Sequence, residues 1–370
     1  MRYEVIVAGA SFAGLSVAAQ LRSRRVLLLD RKPIGTGQTS ACATPLATTR
    51  AVGAEDAILE VHPALVLHAA GREISFRLED PYVTFDYRTF CRAMLTHTDA
   101  EVLIARATGY RDGTVFTDQG PVHGRYVVDA TGWAAALSGG PRSRGVDHPV
   151  AYAIETEIPF RPDLSPGLHF YFEKRYANWG YAWAFPCGNA TRFGVGSFQG
   201  PKGLAPALRQ FVDDFGLSVG RTYGGLLAYG FHEPVMGDLF VVGDAAGHCL
   251  PLTGEGIRTA IYHGLHCGRA IRGALRGEFS PNEARAFYRD LVLCHQRTYR
   301  RLGAAQRGVA LLPERWLAIV AQAAARLGLG EWLMNRYLRD TGWFLGHRRG
   351  LEPPVRRRST TVRSSRSALA

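Results

Sequence analysis

Two carboxylates more than two hundred residues apart, Asp30 and Asp244, each stand at the end of a short apolar run and beside a glycine-rich turn. The first run, Tyr3 to Ala8, is β-branched and bounded by glycine, which reads as a buried strand. It enters the turn Gly9-Ala10-Ser11-Phe12-Ala13-Gly14, then a stretch with apolar residues at helical spacing, then a second strand from Arg25 to Leu29 that ends at Asp30 and Arg31. Each position has a task in binding a dinucleotide. Gly9 permits the tight turn, and the helix start offers free N–H groups and a positive dipole end to a pyrophosphate. Gly14 lets the helix pack closely on the strand, and Asp30 accepts hydrogen bonds from ribose hydroxyls. Ser11 stands where the fingerprint has its second glycine; it is small and can itself donate to phosphate. This unit alone serves NAD as readily as FAD.

The second carboxylate separates the two. Gly237 to Gly247 reads GDLFVVGDAAG, a strand from Leu239 to Val242 running into Gly243-Asp244. Beyond it come Pro251, Gly254, Glu255 and Gly256, then a helix from about Ile257. Asp244 is placed to bond a polyol such as ribityl, and the glycine loop lets main-chain N–H groups approach a flat ring with a helix dipole behind them. An NAD site needs no such element, so the pair points to FAD. Between the two motifs, YVVDATGW (Tyr126 to Trp133) is a strand ending in a small-residue turn that suits close passage of the same cofactor. Glu255 reads equally as a surface residue or a neighbour of the flavin.

Tyr181, Trp183 and Phe185 alternate at period two, which puts three aromatics on one face of a strand, and Gly188-Asn189 turns the chain into Arg192 to Ser197. Such a face lines a hydrophobic substrate site or is ordinary sheet core. Cys42, in TSACATPL, lies shortly after the second strand. His248, His263 and His266 fall near the flavin loop and its helix, but helical spacing alone does not make metal ligands, and no metal site is expected.

With these motifs in hand, the chain resembles the geranylgeranyl reductase branch of the para-hydroxybenzoate hydroxylase-like flavoproteins. The likeness covers most of the chain: the glycine turn, FDYRTFCRAML with Asp86 and Arg88 opening a helix, VVDATG, GDLFVVGDAAG and PLTGEG. It implies Arg88 near the FAD pyrophosphate, Asp244 at the ribityl-side phosphate region and Gly254 to Gly256 beside the isoalloxazine. It also implies a second, antiparallel sheet over the reactive face. Without the likeness, Asp86 and Arg88 are an N-cap and a solvated helix residue. YAWAFP resembles the YxWxFP element that lines the isoprenoid tunnel of prenyl reductases. Cys42 falls where the family carries a cysteine-glycine turn, here Ala43-Thr44. Tyr181, Trp183 and Cys42 are therefore the candidate catalytic residues. The implied activity is hydride transfer from reduced flavin to an isoprenoid C=C bond, with NAD(P)H or reduced ferredoxin as electron donor. The alternative is an FAD-dependent monooxygenase or halogenase; Lys32, Lys174 and Lys202 are the only lysines and none sits in a motif, which disfavours halogenation.

The elements that must position these groups define an α/β (α+β overall) fold class. A Rossmann-type FAD-binding domain (1–60, 84–148, 226–278) is interleaved with an antiparallel substrate-binding sheet (61–83, 149–225). C-terminal helices (279–346), broken at Pro313 and Gly328-Leu329-Gly330, and a basic, disordered tail (347–370) follow. Hydrophobic content of 46% and charged content of 21% exclude wholesale disorder. Six scattered cysteines without a CxxC pair suggest neither a disulfide framework nor a zinc site. The amino terminus is a strand rather than a signal peptide, and no run of about 18 apolar residues suggests a spanning helix. The expectation is a cytoplasmic protein. The net charge is +12, and from Leu351 to Ala370 five arginines face only Glu352. With Trp316, Trp332 and Trp343 beside arginines, this favours peripheral membrane contact and a lipid or other hydrophobic substrate. Nucleic acid is not expected, because no reading module is visible.

Overall fold

The computed structural model describes residues 2–140 and 150–341. Trp343 and the arginine tail lie outside the described residues. In chain order the strands are β1 (Arg2–Ala8), β2 (Val26–Asp30), β3 (Ala43–Pro45), β4 (Ile58–Ala69), β5 (Arg72–Phe85), β6 (Glu101–Ile104), β7 (Ala107–Arg111), β8 (Thr114–Thr117), β9 (Val122–Asp129), β10 (Val150–Ile158), β11 (Leu168–Tyr171), β12 (Gly180–Cys187), β13 (Ala190–Ser197), β14 (Thr222–Ala228), β15 (Val235–Met236) and β16 (Leu239–Val241). The helices are α1 (Phe12–Ala19), α2 (Leu46–Ala51), α3 (Tyr87–Thr96), α4 (Leu204–Asp213), α5 (Ile257–Leu275), α6 (Pro281–Leu293), α7 (Gln296–Leu311), α8 (Glu314–Arg326) and α9 (Leu329–Thr341).

The continuous apolar runs of β1, β2 and β9 require burial on both faces, as parallel strands do. They form the centre of a sheet ordered β15-β16-β9-β1-β2-β6, with β7 and β8 attached through β9. β1 is parallel to β2 and β9, and β16 to β9. One face packs Val5, Val7 and Val128 against Leu15 of α1 and Ile261 of α5; the other buries Ile6, Leu27, Leu29 and Val127.

The second sheet is ordered β14-β10-β13-β12-β11-β4-β5-β3. Its strands alternate in burial partners. Phe193 and Val195 of β13 meet Leu208 and Phe211 of α4 on one face, while Trp183 and Phe185 of β12 look the opposite way. Two features differ from expectation. The sheet is not wholly antiparallel: β11 runs parallel to β4, which the long crossover between them permits. It also recruits residues on both sides of the expected boundaries, because β3 pairs with β5 (Ala43↔Thr84) and β14 extends to Ala228 beside β10.

The C-terminal helices begin with a capping box, Ser280 with Glu283. The helical pattern running from Glu283 through Gln306 breaks at Cys294 and His295, between α6 and α7. There the His295 ring packs on Tyr262 and His263 of α5. Among the described residues no single helix is long and apolar enough to cross a membrane; α8 and α9 meet at 91°.

Candidate active site

The glycine turn is built by contact. Gly9 has φ +104, and a Cβ there would lie 2.0 Å from the Ala130 carbonyl oxygen, so the turn after β1 presses on the turn after β9 and admits only glycine. Asp30 holds the turn from below: its carboxylate accepts from the Ala10 N–H at 2.7 Å and the Lys32 N–H at 3.1 Å. Ser11 is the N-cap of α1, but its hydroxyl shares a hydrogen bond with Tyr87 Oη (3.1 Å) instead of capping. Phe12 packs edge-on against Phe85, Tyr87 and Phe90, so its side chain is core and its contribution at the turn is main chain. Arg31 and Arg88 are exposed. Arg88 follows the N-cap Asp86, which accepts from the Thr89 N–H at 2.7 Å, and its backbone supports the loop at Gly35.

The second motif closes onto the first. A Cβ on Gly243 would come within 3.0 Å of the Ala13 Cβ, and Gly14 follows on the same first turn of α1. Asp244 opens a short helical turn, Gly243–Ala246, and burial pushes its carboxyl up to about 7. Gly256, the N-cap of α5 before Ile257, lies with its Cβ direction 3.7 Å from Asp244 Oδ1. Asp129, at the end of β9, ties the third loop: it accepts from Thr131 Oγ1 (2.6 Å) and from the Ser138 N–H and Oγ (2.9 and 2.7 Å). Glu255, on which the sequence is silent, is committed elsewhere. Its carboxylate takes Arg258 Nε and Nη2 (2.7 and 2.6 Å) and the Tyr337 hydroxyl (2.9 Å). This buried pair pins the flavin loop to α9. A cradle of close-approach glycines, two helix N-termini and carboxylates at Asp30 and Asp244 fits an FAD stretched between the motifs.

Over that cradle lies the aromatic face of the second sheet. The Tyr181 hydroxyl donates to the Thr253 carbonyl, and Gly254 directs its Cβ position to within 3.2 Å of that hydroxyl, so β12 is joined to the flavin loop just beyond Pro251. Strand register makes a row across the sheet: Phe170, Trp183, Gly194, Glu155, Tyr223. A Cβ on Gly194 would lie 2.1 Å from Trp183 Cζ2, so the indole lies flat across the missing side chain and its Nε1 donates to Glu155 (3.2 Å). The next row, Tyr181, Gly196, Ala153 and Gly225, is small beyond the tyrosine, and the Trp183 ring reaches to within 3.4 Å of the Cβ position of Gly196.

Glu155, Arg192, Tyr223 and Gln38 are site residues that sequence reasoning missed. Glu155 is 2% exposed, and burial pushes its carboxyl up to about 7 against the pull of Arg192 and the Trp183 indole. Arg192 bonds Glu157 (2.8 Å) and the Ala41 and Phe85 carbonyls. Gln38 reaches Tyr223 at 3.5 Å. Cys42 sits against this cluster at φ +51 and fully buried; burial holds its thiol well above the ordinary range, with Arg192 opposing. It is a neutral thiol, not a thiolate nucleophile. The His248 and His263 rings pack at 4.0 Å, tilted by 40°, both held neutral by burial. A separate trio, His68, Glu73 and His169, is close enough to share an ion, but His68 Nε2 and His169 Nδ1 already bond each other (2.8 Å).

No family model matches the chain. A digeranylgeranylglycerophospholipid reductase of Methanothermobacter thermautotrophicus is 31% identical over 301 residues, 70% of this chain and 75% of that one. Among solved structures, a geranylgeranyl bacteriochlorophyll reductase-like protein of Thermoplasma acidophilum superposes with a TM-score of 0.77 at 19% identity, covering 89% and 92% of the two chains. The myxobacterial halogenase CndH, an FAD-dependent halogenase, superposes at 0.66 with 18% identity over 89% and 90%, a likeness of fold. Fold, site and the Methanothermobacter relative define an oxidoreductase whose cradle fits FAD. Within that class, the chain belongs to the geranylgeranyl reductase family.

Proposed function

We propose that the protein saturates C=C bonds of an isoprenoid chain carried by a lipid. The observation that carries this reading is the aromatic strand β12, joined to the flavin loop through Tyr181 and Thr253 and presenting Tyr181, Trp183 and Phe185 to whatever lies against the ring. Bound reduced FAD supplies the hydride for one alkene carbon. Tyr181 and Trp183 orient the chain, and the buried aromatic face excludes water. Glu155, neutral until about pH 7 and on the same face, holds a proton at its carboxyl for the second carbon. The chain carries one dinucleotide-type glycine turn, at Gly9, which FAD would occupy. The electron donor is therefore a transient NAD(P)H or a protein such as reduced ferredoxin.

The test is anaerobic. The flavin is reduced and a geranylgeranyl lipid added with and without oxygen. Reoxidation by the alkene without oxygen, with a product heavier by two hydrogens per bond, is the expected result. Reoxidation only with oxygen, with hydroxylated or halogenated product, would make the protein a monooxygenase or halogenase instead.

A further inference from the structure

The C-terminal helices present an amphipathic pattern turned outward. α8 packs its Ala318 and Ala321 side on the β4–β5 hairpin, and the opposite side reads Trp316, Ile319, Val320 and Leu327, respectively 51, 43, 57 and 71% exposed. The stripe continues through Leu329 to Trp332 and Leu333 of α9 and begins at Leu311 and Leu312. So large a run of exposed apolar side chains has a partner. The charge around it is one-sided. Residues 296–370 hold fifteen arginines, no lysine and four acidic residues, a net +11 out of the chain's +12. A second copy would bring like charge against like. An anionic bilayer complements both parts, taking the tryptophans at headgroup level and the arginines at phosphates.

The face is also where a lipid is needed. A pocket between the 251–256 loop and the α7–α8 corner is lined by Tyr181, Leu252, Val309 and Leu312 together with the polar Lys174, Gln306 and Glu314. Leu312 belongs both to the pocket wall and to the exposed stripe. Tyr181, also in the pocket wall, bonds the loop at Thr253.

We infer that the outward face of α8 and α9 with the α7–α8 corner seats the protein on an anionic lipid bilayer, and that the pocket at this corner admits an isoprenoid tail from the acyl layer to Tyr181. The second half rests on the function proposed above; the docking does not. The experiment uses the full FAD-loaded chain and sedimentation with phosphatidylcholine vesicles, with and without phosphatidylglycerol. It compares the wild type with the triple variant Trp316→Glu, Val320→Glu, Leu327→Glu, whose sites are exposed and leave the core intact. Expected is binding to the anionic vesicles, lost by roughly tenfold or more in the variant and weakened by salt. Turnover of a vesicle-borne geranylgeranyl lipid should fall in parallel, while a short water-soluble isoprenoid is reduced as in the wild type. Absent binding, or equal binding by the variant, overturns the docking. So does a wild-type dimer that the variant dissolves, since a second copy would then cover the face. Vesicle binding without alkene reduction would instead overturn the function and leave the docking standing.

Discussion

Replacing Glu155 with glutamine should flatten part of the protein's pH-stability curve. The glutamine keeps the shape of the carboxyl and an oxygen for the Trp183 indole N–H, but it cannot ionise. In the wild type the carboxyl titrates near 7 when folded, against 4.5 when free. Below about pH 4.5 both states are protonated and burial costs nothing in ionisation. Above it the unfolded chain releases its proton while the folded one keeps it, so stability falls as pH rises through 7 and then levels off. At about 1.4 kcal/mol per pH unit the full difference is about 3 kcal/mol, and roughly 2–3 kcal/mol of it falls between about pH 5 and pH 8. Asp244, whose carboxyl is also raised to about 7, is common to both proteins and cancels in the comparison. Urea unfolding of FAD-saturated wild type and Glu155→Gln at the two pH values gives the difference directly. Wild type should lose about 2–3 kcal/mol more than the variant on going to the higher pH. Equal losses would refute the assignment of a buried, proton-holding carboxyl to the row beside Trp183.

Gly194→Ala should drive a methyl into the Trp183 indole, costing about 1–3 kcal/mol by overpacking and shifting the indole emission; an unchanged urea midpoint with unchanged fluorescence would show the ring free to move. Asp30→Ala together with Asp244→Ala should strip the yellow cofactor on gel filtration, and stoichiometric FAD after that step would sink the site assignment. Arg258→Ala leaves the Glu255 carboxylate buried without its ion partner and should cost about 3–5 kcal/mol, checked by urea unfolding; a loss under about 1 kcal/mol would place the pair in solvent. Iodoacetamide at neutral pH should label exposed Cys294 in the folded protein and spare Cys42, with mass spectrometry as readout; labelled Cys42 would mean a thiolate where burial forbids one.

The glycine-turn half of the fold was legible because its signals are local. A strand, a glycine turn and a helix start lie within thirty residues, and the geometry of Gly9 is demanded by its immediate neighbours. The same holds for Gly243 to Ile257, where the helix begins at the residue that the pattern marks. The substrate half was legible in its aromatics and opaque in its polar groups. In β10, Tyr152, Ile154 and Ile158 share the face that packs towards α4. Ala153, Glu155 and Glu157 alternate with them and read as a solvated face. Nothing nearby in the chain shows that Gln38, Cys42 and Arg192 come to cover it. Glu255 misleads for a similar reason: a loop acid beside a flavin motif, whose partner Tyr337 lies 82 residues on.

From the chain alone follow the two glycine turns and the helices they open, because close approach and positive φ depend on main-chain conformation that a few consecutive residues dictate. The tertiary structure decided what surrounds the reactive face. The row Trp183–Gly194–Glu155 exists only when three strands pair in one register, and Glu155 holds its proton only because Gln38, Trp183, Arg192 and Tyr223 gather around it and bury it. Burial and register are properties of the assembled sheet, and they turn an acid on an apparently wet strand into part of the site.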